Sequence, residues 1–158
     1  MAKGTRATAA LDKAGVAHQL HAYDYSADVD SKGLAAAQAL GIAPARMYKT
    51  LMVWVDKQPV VAVIPSDQRL SLKKLATSCG GKHAQMMDIA EAERRSGYKV
   101  GGISPFAQQR PAKVVFADGV QQHTSVYINA GQRGLLLEIA PVDALRFLQA
   151  GCSEVLED

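Results

Sequence analysis

Lys49 is the only charged side chain in the apolar run MYKTLMVWV, residues 47–55. On the two-residue period of a strand it shares a face with Leu51 and Val53. A lysine on a buried face is costly unless it meets an anion or its stem carries the ammonium out to water. Two glycine-bearing turns offer a second kind of chemistry: GGISP at 101–105 and NAGQRG at 129–134. Backbone N–H groups bared by glycine can cradle an anion or a carbonyl oxygen with no side-chain catalyst. Each of the three features also has a plain structural reading. Lys49 could be a strand-end residue reaching solvent, and each glycine turn a hairpin chosen for its backbone angles.

Other chemistries find less support. The chain has no GxSxG elbow, Walker loop or GxGxxG fingerprint. Ser104, inside GGISP, is the tempting nucleophile, but no motif places a histidine to activate it. Cys79 sits towards the C-terminal end of a lysine-bearing helical pattern, where the helix dipole disfavours a thiolate. Cys79 and Cys152 lie far apart and read as reduced thiols. His18, His21, His83 and His123 show no HxH or HExxH spacing, so no metal site is expected. Glu138 and Asp143 flank a strand end and read equally as structural residues. No cofactor is called for. Together, Lys49 and the two glycine turns suggest a pocket for an extended, phosphate-bearing ligand.

The elements that must position these groups follow from periodicity and punctuation. TRATAALDKAGV reads as a helix, capped by Thr5 and stopped at Gly15, that carries Ala9, Leu11 and Ala14. HQLHAYDY alternates as a strand and includes Tyr23. LAAAQALG is a short helix closed by Gly41. MYKTLMVWV and PVVAVIPS form a hairpin across Asp56-Lys57-Gln58. Helices follow over SLKKLATSCG, capped by Ser71, and over DIAEAERRSG, capped by Asp88, with a short strand AQMMD between them. AKVVFAD, TSVYINAG and LLLEIAP are strands, and PVDALRFLQAG is a last helix with Pro141 in its first turn. Strands and helices mix without βαβ alternation. The expected fold is therefore α+β: a mixed, largely antiparallel sheet or barrel with surrounding helices, in a single domain over residues 1–158.

The chain has 158 residues, 48% of them hydrophobic and 21% charged, which is the balance of a globular domain. A net charge of +3 permits a polyanionic partner without requiring one. No apolar run approaches the ~20 residues of a membrane span, and the first 20 residues lack a signal-peptide core. A cytoplasmic protein that does not engage a membrane is expected.

The motifs, taken in order, resemble the YbaK family of aminoacyl-tRNA deacylases, relatives of the editing domain inserted in bacterial prolyl-tRNA synthetases. The carrying pieces are HAYDY, GLAAAQALG before ARMYKTLMV, LSLKKLA, RSGYKVGGISPFAQ, and NAGQRGLLLEIAP with the helix after it. The likeness spans nearly the whole chain and is strongest to the Cys-tRNA(Pro) deacylase branch. It implies a mixed sheet with helices outside, and removal of a wrongly attached amino acid from a tRNA 3′ end. A small difference in an apolar pocket yields only about 1–3 kcal/mol of discrimination, so a second site must clear the errors of the first.

The resemblance implies roles for particular residues. Lys49 would hold the phosphate or ribose of the terminal adenosine. Tyr23 would line the pocket, and Gly101 with Gly102, Ile103, Ser104 and Pro105 would orient the aminoacyl carbonyl. Asn129, Ala130 and Gly131 form the second turn, and Lys32 occupies a pocket-lining position. For cysteine, the implied route is substrate-assisted: the substrate's own thiol attacks the ester carbonyl. Implied partners are the aminoacyl-tRNA and, as a candidate, prolyl-tRNA synthetase. Lys32-Gly33 stands where the family commonly has an aromatic residue before the glycine, Ala35 where a glutamate is usual, and Asn129-Ala130-Gly131-Gln132 where SGGK is usual. These departures bear on which amino acid is accepted. Alternatives are the same reaction on a tRNA carrying alanine or serine, or a non-catalytic module that binds tRNA or a synthetase.

Overall fold

The computed structural model describes residues 4–25 and 32–158, with side chains from residue 36 onward in the second stretch. Helix α1 (Arg6–Lys13) opens at Thr5, whose hydroxyl accepts from the Thr8 N–H, with the Thr8 side chain answering to the Thr5 N–H. Its buried face is Ala7, Thr8 and Leu11; Ala9 and Ala14 are exposed, so the inward stripe is rotated from the expected one. Strand β1 (Gln19–Ala22) ends before Tyr23, whose N–H still reaches the Gly134 carbonyl at 2.9 Å. Helix α2 is Lys32–Leu40.

Strands β2 (Met47–Val55) and β3 (Gln58–Pro65) form the expected hairpin. Its turn is the two residues Asp56 and Lys57, both at positive φ, and Gln58 already belongs to β3. The Asp56 carboxylate accepts from the Lys82 and His83 N–H groups at 2.8 and 2.9 Å, which pins the tip of the hairpin. Helix α3 (Leu72–Ser78) is capped by Ser71 and α4 (Ile89–Ser96) by Asp88; β4 (Ala84–Met86) lies between them. Strands β5 (Lys113–Ala117), β6 (Val126–Gln132) and β7 (Leu135–Ile139) precede α5 (Pro141–Leu148), which has Pro141 in its first turn. A last short strand, β8 (Gly151–Ser153), has no counterpart in the sequence reading.

The strands form one mixed sheet in the order β1-β7-β6-β2-β3-β5-β8, and β4 pairs with β2 off that path. It is open rather than closed into a barrel: β1 and β8 pair on one side each among the described residues. The β1–β7, β7–β6, β2–β3 and β2–β4 ladders are antiparallel. The β2–β6, β3–β5 and β5–β8 ladders are parallel, a larger parallel share than expected.

Both faces are covered. On one, Ala7 and Leu11 of α1, Ala92 of α4 and Ala144 and Leu145 of α5 pack on Met52, Val61, Val63, Phe116, Ile128 and Leu137. On the other, Leu75 and Ala76 of α3 pack on Val53, Val60, Ala62, Ile64 and Val115. Ala36 and Ala37 of α2 meet Met47 and Leu136 beside them. Burial on both faces explains why β3 reads as a continuous apolar run rather than an alternating one. No described helix is long and apolar enough to cross a membrane.

Strand β2 sets up the site. Along one edge it pairs with β6 only at Met47 and Tyr48, and with β4 only from Val53 onward. Between these two ladders the sheet is split. The loop 98–108 and the end of β6 face this gap.

Candidate functional site

A cavity of about 170 Å³ occupies the split. It is lined by Tyr23, Met47, Tyr48, Lys49, Thr50, Val100, Gly101, Ile103, Asn129 and Leu136. Lys49, Tyr23, Gly101, Ile103 and Asn129, far apart in the chain, are thus brought to one small space. A volume near 150 Å³ is enough for a single benzene-sized group, so the cavity suits a small side chain.

Lys49 is half-buried at the gap and makes no ion pair among the described residues. Burial, and next the charge of Arg69, hold its ammonium below the usual lysine value; Asp67 opposes them. A desolvated cation without a carboxylate partner favours an anionic ligand. Burial likewise pushes the Tyr23 phenol above its usual value, so it is neutral and can donate a hydrogen bond near pH 7.

The loop 98–108 is braced from within. Its ends are held by Gln109 N–H to Ser96 O and Arg110 N–H to Arg95 O. The Tyr98 hydroxyl donates across it to the Phe106 carbonyl at 2.6 Å. Gly102 N–H closes a turn on Lys99 O at 2.8 Å. Gly101 has φ +88°, and a Cβ there would lie 2.5 Å from the Tyr25 hydroxyl. A Cβ at Gly102 would lie 2.8 Å from the Arg133 backbone nitrogen. Both positions therefore exclude side chains, one by conformation and crowding and the other by backbone contact. Among the described residues, the N–H groups of Gly101 and Ile103, two of the lining residues, have no hydrogen-bond acceptor.

Asn129 joins the two glycine turns. Its Oδ1 accepts from Gly131 N–H at 2.7 Å and Gln132 N–H at 3.2 Å, across a bulge in β6. Its Nδ2 donates to the Gly101 carbonyl at 3.1 Å. This network fixes which way the amide points.

The remaining expected residues lie outside the lining. Gly102 is buried against the second turn. Ser104 is fully buried, and its Oγ accepts from the Phe106 N–H at 3.2 Å. Its carbonyl accepts from Gln108 Nε2 at 3.0 Å. Pro105 is buried behind the cavity. Ala130 is buried and its carbonyl accepts from Thr5 Oγ1 at 2.5 Å. Gly131 faces the Tyr98 ring. Lys32 begins α2; its side chain and that of Ala35 lie outside what the structure describes.

Sequence reading missed several neighbours. Met47, Thr50 and Leu136 line the cavity, and Tyr25 and Arg133 each touch a lining residue, Gly101 and Val100. Position next to Lys49 was the available signal for Thr50; Leu136 carried none. A polar cluster elsewhere was also missed. Glu138 accepts from the Ser125 hydroxyl at 2.5 Å and lies 3.0 Å from His21 Nε2. Arg46 donates to Ser125 Oγ at 2.6 Å. The Ser125 hydrogen bond is the main reason the Glu138 carboxyl sits below its usual range. Ser125 meets the carboxylate rather than the imidazole, so this cluster lacks the serine–histidine contact that activates a nucleophile. It ties β1, β6 and β7 together.

The family model described as "Aminoacyl-tRNA editing domain" matches residues 31–147. A protein of Enterococcus faecalis, provisionally named Cys-tRNA(Pro)/Cys-tRNA(Cys) deacylase EbsC, is 38% identical over 120 residues, covering 75% of this chain and 73% of that protein. The multifunctional Ser/Thr-tRNA deacylase ProXp-y of Escherichia coli K12 is 31% identical over 94 residues, covering 58% of this chain and 56% of that one. A crystal structure described as a provisional trans-editing enzyme for prolyl tRNA synthetase superposes with a TM-score of 0.85 at 21% identity. It covers 97% of this chain and 96% of that one.

Proposed function

Since the chain belongs to the aminoacyl-tRNA editing domain family, we propose that it is a free-standing deacylase that clears cysteine from mischarged Cys-tRNA(Pro). The carrying observation is the cavity at the split in the sheet. There an unpaired, half-buried lysine and unused backbone N–H groups converge, and no activated nucleophile lines the wall among the described residues. The arrangement favours holding a substrate over attacking it.

In this reading Lys49 takes the phosphate or ribose of the terminal nucleotide, and Tyr23 flanks the same end. The N–H groups of Gly101 and Ile103 face the ester carbonyl, where they stabilise the negative charge that develops on its oxygen. The cysteinyl thiol attacks that carbonyl carbon, its proton passes to the departing ribose oxygen, and the amino acid leaves as a thiolactone. Proximity within one molecule supplies much of the rate. A cavity of about 170 Å³ restricts the acyl group to small side chains. Prolyl-tRNA synthetase is the partner that would deliver such a substrate, and the cell compartment is the cytoplasm where charging occurs.

A second reading, removal of serine or threonine, is favoured by the likeness to the Ser/Thr-tRNA deacylase. One experiment separates them. tRNA(Pro) charged with cysteine, serine, threonine or alanine is incubated with the protein, and the released products are identified. Fast release of cysteine as thiolactone is expected. Preferential release of serine or threonine would move the assignment to the second reading, and no release from any substrate would remove both.

A further inference from the structure

Four arginines stack on aromatic rings among the described residues: Arg6 on Tyr98, Arg46 on Tyr127, Arg95 on Trp54 and Arg133 on Tyr25. Arg6 and Arg46 each spend an Nη2 group on the protein, on Ser96 O and Ser125 Oγ. Arg95 faces the Glu91 carboxylate. Arg133 does neither. Its Nε donates to the Val100 carbonyl at 2.8 Å, and its guanidinium lies 5.5 Å from the centre of the Tyr25 ring. Its two Nη groups have no hydrogen bond or ion pair among the described residues, although the side chain is exposed.

An exposed arginine with no task would be free to sweep through solvent. This one is held from two sides, by one residue that lines the cavity and by another packed against the lining. Val100 lines the cavity, and Tyr25 presses its hydroxyl on Gly101, which lines it too. The result is a planar cation with its outer pair of donors displayed at the rim, the geometry suited to two oxygens of a phosphate.

We propose that Arg133 grips the phosphodiester backbone leading into the acylated terminal nucleotide, so that the rim reads the nucleic-acid strand while the cavity reads the ester. This rests on the reading of the site as an aminoacyl-tRNA deacylase. Lys49 acts within the cavity; Arg133 acts outside it, one step along the strand.

The test compares two substrates with the same acyl group: cysteinyl-tRNA(Pro), and cysteinyl-adenosine, which carries no phosphate. In Arg133→Ala, the ratio of kcat/KM for the tRNA to that for the adenosine ester is expected to fall about tenfold, through KM. The slope of log KM against log salt concentration for the tRNA is expected to drop by about one. Arg133→Lys, which keeps the charge but loses the fork, should recover part of the ratio. If Arg133→Ala slows both substrates equally, the residue only braces the loop and the inference is overturned. An unchanged ratio and salt slope also overturn it. If the wild-type protein cleaves neither substrate, the deacylase reading falls, and this inference with it.

Discussion

Asn129 and Gly101, 28 positions apart, are joined by a 3.1 Å hydrogen bond from the Asn129 amide to the Gly101 carbonyl. The same side chain holds Gly131 and Gln132 through its oxygen. One residue thus ties the two glycine turns together. It also occupies the Gly101 carbonyl, which is turned towards β6. Asn129→Asp keeps the acceptor but sets a carboxylate against a carbonyl. Deacylation is expected to fall at least tenfold, with a loss of about 1–3 kcal/mol in urea unfolding. Wild-type turnover in this variant would show that the tie does not shape the site.

Gly101 has no room for a methyl group. With φ at +88° and the Tyr25 hydroxyl 2.5 Å from the Cβ position, Gly101→Ala must displace Tyr25 or strain the loop, at a cost of about 1–2 kcal/mol. Turnover should drop more than tenfold. The double variant Gly101→Ala with Tyr25→Ala relieves the crowding but not the backbone strain, so it should recover part of the stability. Non-additivity in thermal unfolding measures the shared contact.

Lys49 predicts an alkaline limb. Burial and Arg69 hold its pKa below the lysine norm. As pH rises through that lowered value, the ammonium loses its proton and the cation's hold on the substrate is lost. After uncatalysed ester hydrolysis is subtracted, kcat/KM should decline with pH earlier than for an exposed lysine. A bound anion restores the proton, so the limb in kcat should lie at higher pH. Lys49→Arg stays charged and should flatten the decline; superimposable profiles for the two proteins would exclude Lys49 as the titrating group.

Ser104 separates support from chemistry. Its hydroxyl is buried and accepts from the Phe106 N–H. Ser104→Ala is expected to cost about 1 kcal/mol of stability while keeping kcat within a few-fold of wild type. A loss of several orders of magnitude in kcat, with the fold intact by circular dichroism, would return Ser104 to the role of nucleophile.

Much of the framework was legible because it is local. Thr5, Ser71 and Asp88 cap their helices through their own side chains, and Pro141 begins the last helix, as their positions demand. The hairpin of β2 and β3 follows from two apolar runs around Asp56-Lys57. Strand β8 was not legible: three residues, Gly151 to Ser153, carry no period, and they pair with β5 only because α5 returns the chain there. Tyr23 falls just outside β1, where its N–H meets Gly134 in the turn that opens β7. Lys49 announced itself by being out of place. Arg133 did not, since an arginine in a turn is ordinary until the ring of Tyr25 is seen beneath it.

Two residue pairs, Met47–Tyr127 and Tyr48–Ile128, make up the whole β2–β6 ladder. The β1-β7-β6 half of the sheet therefore meets the other half as one jaw of a calliper meets its mate, with the cavity as the gauge. The Asn129–Gly101 and Arg133–Val100 hydrogen bonds brace the opening from the other side. Tyr127 sits at the joint, outside the lining and beneath Arg46. Tyr127→Ala should broaden the range of amino acids released in the charging panel; an unaltered range would show that the jaws are held elsewhere. A change in acyl-group range on substitution of Tyr127 would make the width of the cavity a mechanical property of the sheet, open to tuning by substitutions that never touch the substrate.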